Sequence, residues 1–96
     1  MPIPSPDTAL TAASVPKLWR LARLQFDPVR GGHVLLYPEG VILLNETGTA
    51  ILELCDGRRS VGDIASILGE RFQCEVLADV IEYLSALAQR EFIRDA

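Results

Sequence analysis

Leu35-Leu36-Tyr37-Pro38-Glu39-Gly40-Val41-Ile42-Leu43-Leu44-Asn45 decides the fold, because it encodes two apolar runs, a tight reversal between them and the cap of a helix. Pro38 presets φ for the second position of a type I turn and Gly40 suits the fourth. Asn45 then ends the second run as a helix N-cap. Val41 to Leu44 is thereby the last strand of a small sheet, with main-chain N–H and C=O groups on its far side open to a partner.

Upstream, residues 21–27 alternate strictly, with Ala22, Leu24 and Phe26 on one side and Arg23, Gln25 and Asp27 on the other. That period of two predicts a half-buried strand. Residues 27–32 are dense in turn formers, and His33 to Tyr37 with Val41 to Leu44 complete a three-stranded antiparallel meander. The first 16 residues hold four of the six prolines and no apolar period, which predicts a disordered N-terminal tail and a single domain over 17–96.

Three helices follow. The first, from Glu46 to about Cys55, places Ala50, Ile51, Leu54 and Cys55 on one stripe, and Gly57 suits its left-handed C-terminal position. Ser60-Val61-Gly62-Asp63 is a capping-box pattern that opens the second, with Val61, Ile64, Ala65, Leu68 and Phe72 on its apolar face. The third spans about Glu75 to Arg90 and carries two adjoining stripes: Leu77, Ile81, Leu84 and Ala88, and beside them Val76, Val80, Tyr83 and Leu87. A central helix is apolar most of the way round, but the second stripe also suits a groove wall, and Tyr83 combines a large apolar body with a hydroxyl in need of a partner. The whole is an α+β, winged-helix-like arrangement.

Composition narrows the function. With 96 residues, 49% hydrophobic and 23% charged, the chain is an ordinary small globular domain. Its net charge of −4 is uneven: residues 1–45 carry +1 and residues 46–96 carry −5, so the helices are the acidic part. A winged-helix DNA-binding regulator is the structural competitor, yet Glu75, Asp79 and Glu82 on the third helix would be driven against phosphates. Lys17, Arg20 and Arg23 near the first strand, and Arg58-Arg59 between helices, suit solvated surface. His33 is the single histidine, Asp79 and Glu82 suit a solvated face, and no phosphate-cradling glycine motif occurs. Nothing here predicts an enzyme. Cys55 and Cys74 match neither a redox nor a zinc spacing and are expected to be free, partly buried thiols of a cytoplasmic protein. No secretion signal or membrane span is evident.

Together, Leu35-Leu36-Tyr37-Pro38-Glu39, Leu44-Asn45, Ile51-Leu52-Glu53-Leu54-Cys55-Asp56-Gly57, and Asp79-Val80 followed by Leu84 and Leu87 resemble the PqqD family of pyrroloquinoline quinone biosynthesis over about residues 16–93. The resemblance implies a peptide-recognition domain of ribosomal peptide modification pathways. Such a protein binds the precursor peptide PqqA and presents it to the radical S-adenosylmethionine enzyme PqqE, with no cofactor or turnover of its own. His33 departs from the tryptophan frequent at that point in the family. Peptide capture by an added strand then maps onto Val41, Ile42, Leu43 and Leu44, with side chains reaching toward Val80, Tyr83, Leu84 and Leu87. A purely structural subunit of the modifying enzyme is the other reading, and the open edge also allows a homodimer by edge pairing or segment exchange.

Overall fold

The computed structural model describes residues 10–95. Its elements in chain order are β1 (Pro16–Leu18), β2 (Arg23–Asp27), β3 (Gly32–Tyr37), β4 (Gly40–Leu43), α1 (Glu46–Glu53), α2 (Val61–Phe72), α3 (Leu77–Gln89) and β5 (Ile93–Asp95). The expected meander is present as an antiparallel sheet in the order β2-β3-β4, so β2 and β4 are its two edges. Tyr37 pairs with Gly40 across a two-residue loop, and neither Pro38 nor Glu39 has positive φ, which excludes the primed hairpin turns and fits type I.

Pairing sets the faces of the sheet. Leu24, Leu35 and Ile42 are register partners and point to the core, while Arg23, Leu36 and Val41 share the opposite, outer face with Gln25, Val34 and Leu43. Leu35 packs at the centre of a cluster with Ile51, Val61, Ile64, Leu68, Val80 and Leu84. Burying a side chain of this kind contributes about 1.5–3 kcal/mol, so this cluster is the main source of stability.

The helix termini follow their capping signals. Asn45 accepts the N–H of Gly48 at 2.7 Å, and Ser60 with Asp63 forms a reciprocal capping box. Gly57 does adopt positive φ, but its N–H goes to Pro16 O, which ties the end of α1 to β1. Glu91 at φ 66 ends α3 in a left-handed turn, and the Phe92 N–H returns to Leu87 O at 3.1 Å as the buried Phe92 ring tucks inward.

A correction concerns the N-terminal segment. Residues 1–9 of the expected tail lie outside the described residues, but residues 10–16 are docked rather than free. Leu10 is buried in the core and its N–H donates to Ser85 Oγ, Ser14 O accepts from Val61 N at 2.8 Å, and Val15 N donates to Asp95 Oδ1 at 2.8 Å. β1 then pairs antiparallel with β5, a two-stranded sheet absent from the expected meander. Both strands are three residues long, too short for alternation to register as a signal.

Candidate functional site

The ladder shows which amides of β4 point away from β3. Leu44 N donates inward to His33 O at 3.1 Å, and in an antiparallel pair main-chain groups alternate between the two sides of a strand. Ile42 therefore also points its N–H and C=O toward β3, and Val41 and Leu43 point theirs outward. β4 pairs with β3 alone among the described residues. Each outward residue offers one donor and one acceptor.

Two contacts, to α1 and to β3, fix the direction of α3 relative to β4. At the C-terminal end of β4, Tyr83 of α3 lies over Gly48 of α1 so closely that a Cβ at Gly48 would fall 2.5 Å from the Tyr83 hydroxyl and 3.2 Å from Asn45 Oδ1. At the hairpin end, Tyr37 meets Phe92 at a tilt of 57° with ring centroids 4.8 Å apart, and the Arg90 guanidinium sits 5.0 Å over the same Phe92 ring. A cavity of about 560 Å³ there is lined by Trp19, Tyr37, Glu39, Arg90, Glu91, Phe92 and Arg94. Seven residues of helix from Tyr83 to Arg90 rise about 10.5 Å, close to the roughly 10 Å from Gly40 to Leu43 along a strand. The C-terminal half of α3 thus runs in the opposite sense to β4, Tyr83 toward the α1 end and Arg90 toward the hairpin, and the strip between them is the candidate groove.

Only part of the expected wall faces that groove. Val80, Leu84 and Leu87 are core residues, with 1%, 0% and 8% of their surface exposed, so their place in the site is corrected: they hold α3 against the sheet and α2. Tyr83 is half-buried and stands at the rim. Asp79, Ala86 and Arg90, at spacings of three and four from Tyr83 and one another, share its side of the helix and are exposed. Neither Ala86 nor Arg90 is in the expected wall, because neither is both apolar and large; their helical spacing from Tyr83 is what puts them on its side. On β4, Ile42 and Leu44 are half-buried against the core, whereas Val41 and Leu43 are exposed.

The titratable groups near the candidate groove are Tyr83 and, behind it, Cys55. Burial pushes the Tyr83 phenol upward, with a smaller contribution from Cys55. The Cys55 thiol, buried and donating to Ile51 O at 3.3 Å, is pushed up to about 12 by burial and then by the Asp56 charge, so it stays protonated. Cys74 is also free, but exposed rather than partly buried. No group of three or more His, Cys, Asp or Glu residues is placed to hold a metal among the described residues. His33 meets Phe26 edge-on at 5.3 Å and lines a separate cavity with Leu44, Glu46, Glu53 and Arg71. Asp79 and Glu82 are exposed on α3, and Glu75, expected on the same helix, is exposed in the turn before it and accepts the Leu77 N–H. Among the described residues no helix is long and apolar enough to cross a membrane.

A winged-helix-like domain whose β4 edge pairs with β3 alone among the described residues has the geometry that peptide-recognition modules use for strand addition. The comparisons give the family. The family described as Coenzyme PQQ synthesis protein D (PqqD) matches residues 32–93, and this chain belongs to it. A PqqA binding protein of Klebsiella pneumoniae is 51% identical, over 74% of this chain and 79% of that protein. The bifunctional coenzyme PQQ synthesis protein C/D of Methylorubrum extorquens is 42% identical over 90% of this chain, which spans only 24% of that longer relative. The solution structure of the PqqD part of Methylobacterium extorquens PqqCD, described as a functional, stand-alone recognition element for ribosomally synthesized and post-translationally modified peptides, superimposes with a TM-score of 0.79. That pair shares 41% identity, over 91% of this chain and 96% of the other. The relatives' name is that of a binding protein, not a catalyst.

Proposed function

We propose that this chain is a peptide carrier of pyrroloquinoline quinone biosynthesis, which takes the precursor peptide PqqA onto β4 by β-augmentation and presents it to the radical S-adenosylmethionine enzyme PqqE. The observation that carries this is the β4 edge: Val41 and Leu43 direct their amides away from β3, beside an α3 side that carries Tyr83, Ala86 and Arg90. Relatives named PqqA binding protein support the choice of guest. Main-chain pairing supplies general grip and side-chain contacts supply identity. A flexible peptide loses chain entropy when it is ordered in this way, which limits affinity and keeps release possible. Contact between carrier and enzyme would raise the effective concentration of peptide at the enzyme.

Titration of isotope-labelled protein with synthetic PqqA tests this. Saturable amide shifts are expected at Val41 and Leu43 and along Tyr83, Ala86 and Arg90, and not along β2. Addition of PqqE should then give a ternary complex whose formation depends on PqqA or strengthens with it. Shifts confined to β2, or no binding at all, would reject the edge as the peptide site.

A further inference from the structure

We infer that the bound strand is read on its outer face as well as in the groove: Val41 and Leu43 select guests with large apolar or β-branched side chains at two positions two residues apart. This rests on the edge-pairing reading above and adds a specificity to it. The two residues whose amides face outward are the two whose side chains lie on the outer face of the sheet. They are 49% and 59% exposed, among the most exposed large apolar side chains of the protein. Beside them across the ladder lie Leu36 and Val34, and Val34 is 5% exposed although it belongs to no part of the core cluster. The outer face thus carries its own apolar strip, two rows deep, which stops abruptly at the β4 edge.

Residues paired through outward amides place their side chains on the same face as their partners. A guest residue bonded to Val41 and another bonded to Leu43 would each continue one row of the strip: Leu36 with Val41, and Val34 with Leu43. Cross-strand apolar pairs of this kind are a recognised unit of sheet stabilisation. The strip carries no charge until Arg23, two strands away. A carboxylate or ammonium on the guest at either position would be laid against aliphatic surface with no counter-ion. The intervening guest residues point the other way, toward Tyr83, Ala86 and Arg90, so the two faces of one strand are selected separately.

The test is a double variant, Val41→Thr with Leu43→Thr, which preserves strand propensity and every main-chain group while replacing apolar surface. Its affinity for synthetic PqqA should fall roughly three- to tenfold, with the amide-shift pattern of pairing retained, and Gln25→Thr on the same face of β2 should leave affinity unchanged. Methyl contacts from Val41 and Leu43 to guest side chains two residues apart should appear in the complex. If the threonine variant binds PqqA as tightly as the parent while Leu43→Pro does not, edge pairing stands and outer-face selection is overturned. If Leu43→Pro also binds normally, the edge reading itself falls and the inference with it. A second copy is the competing occupant: self-association that the threonine substitutions abolish, at unchanged PqqA affinity, overturns selection of the peptide.

Discussion

The sheet has two edges, and they are built differently. β2 carries Arg23, Gln25 and Asp27, is followed by Pro28, and uses Asp27 to hold Arg30 at 3.2 Å and to accept the Val29 N–H at 3.0 Å. Charges, a proline and a closed-off loop are the usual devices that keep an edge from pairing with another chain. β4 has none of these: Gly40, Val41, Ile42 and Leu43 carry no charge, and two of the four present exposed aliphatic side chains. Both strands flank the same β3, so the contrast is not a matter of position in the fold. Of the two edges, β4 is the one without such guards, which is why the proposed guest is assigned to it.

The largest way to break that contrast is to remove an outward donor. Leu43→Pro deletes one N–H from the free side of β4 while the Leu44 bond to His33 is kept, and edge strands tolerate proline at such positions. PqqA affinity should fall several fold, up to about tenfold, the equivalent of one net hydrogen bond, with the circular dichroism spectrum unchanged. Next comes the wall. In Gly48→Ala the new Cβ would overlap the Tyr83 hydroxyl at the end of the groove. Overpacking costs typically 1–3 kcal/mol, against roughly 1 kcal/mol gained from helix propensity. A net loss of about 1 kcal/mol is expected in denaturant titration, and truncation of the ring in Gly48→Ala with Tyr83→Leu should recover part of it. Smaller again is transfer of a β2-type guard: Val41→Lys should weaken PqqA binding by a few fold, the worth of one cross-strand pair, and leave stability within about 0.5 kcal/mol.

The same contrast explains what could be read from residues alone. The β4 edge was legible because a hairpin, a cap and a run without charge are local signals, and because the last strand of a meander is an edge by construction. Outwardness of Val41 and Leu43 rather than Ile42 needed one ladder bond, Leu44 to His33, since hydrophobicity does not distinguish neighbours in a fully apolar run. The wall was harder. Val80, Leu84, Leu87 and Tyr83 look alike in period and polarity, and only the packing of α3 on the sheet and α2 separates three core residues from one at the rim. Residues 10–16 and β5 were illegible for a different reason. Leu10, Ser14 and Val15 are held by long-range bonds to Ser85, Val61 and Asp95, and no local periodicity encodes a partner dozens of residues away.

The smallest expected effect tests the guarded edge. Arg23 and Gln25 lie on the outer face of β2, opposite Leu36 and Val34, and both are exposed. Arg23→Val with Gln25→Val should therefore change unfolding free energy by no more than about 0.5 kcal/mol and leave PqqA affinity as it was, because β4 and α3 are untouched. What should change is behaviour without peptide. The apolar strip would then run across all three strands, and β2 would have lost the charge nearest its free main chain. Sedimentation at increasing concentration should show more association than the parent does, and added PqqA should not reverse the increase, since the proposed guest occupies the opposite edge of the sheet. Association that PqqA did reverse would mean that copies meet through β4, and that the charges on β2 had been suppressing nothing.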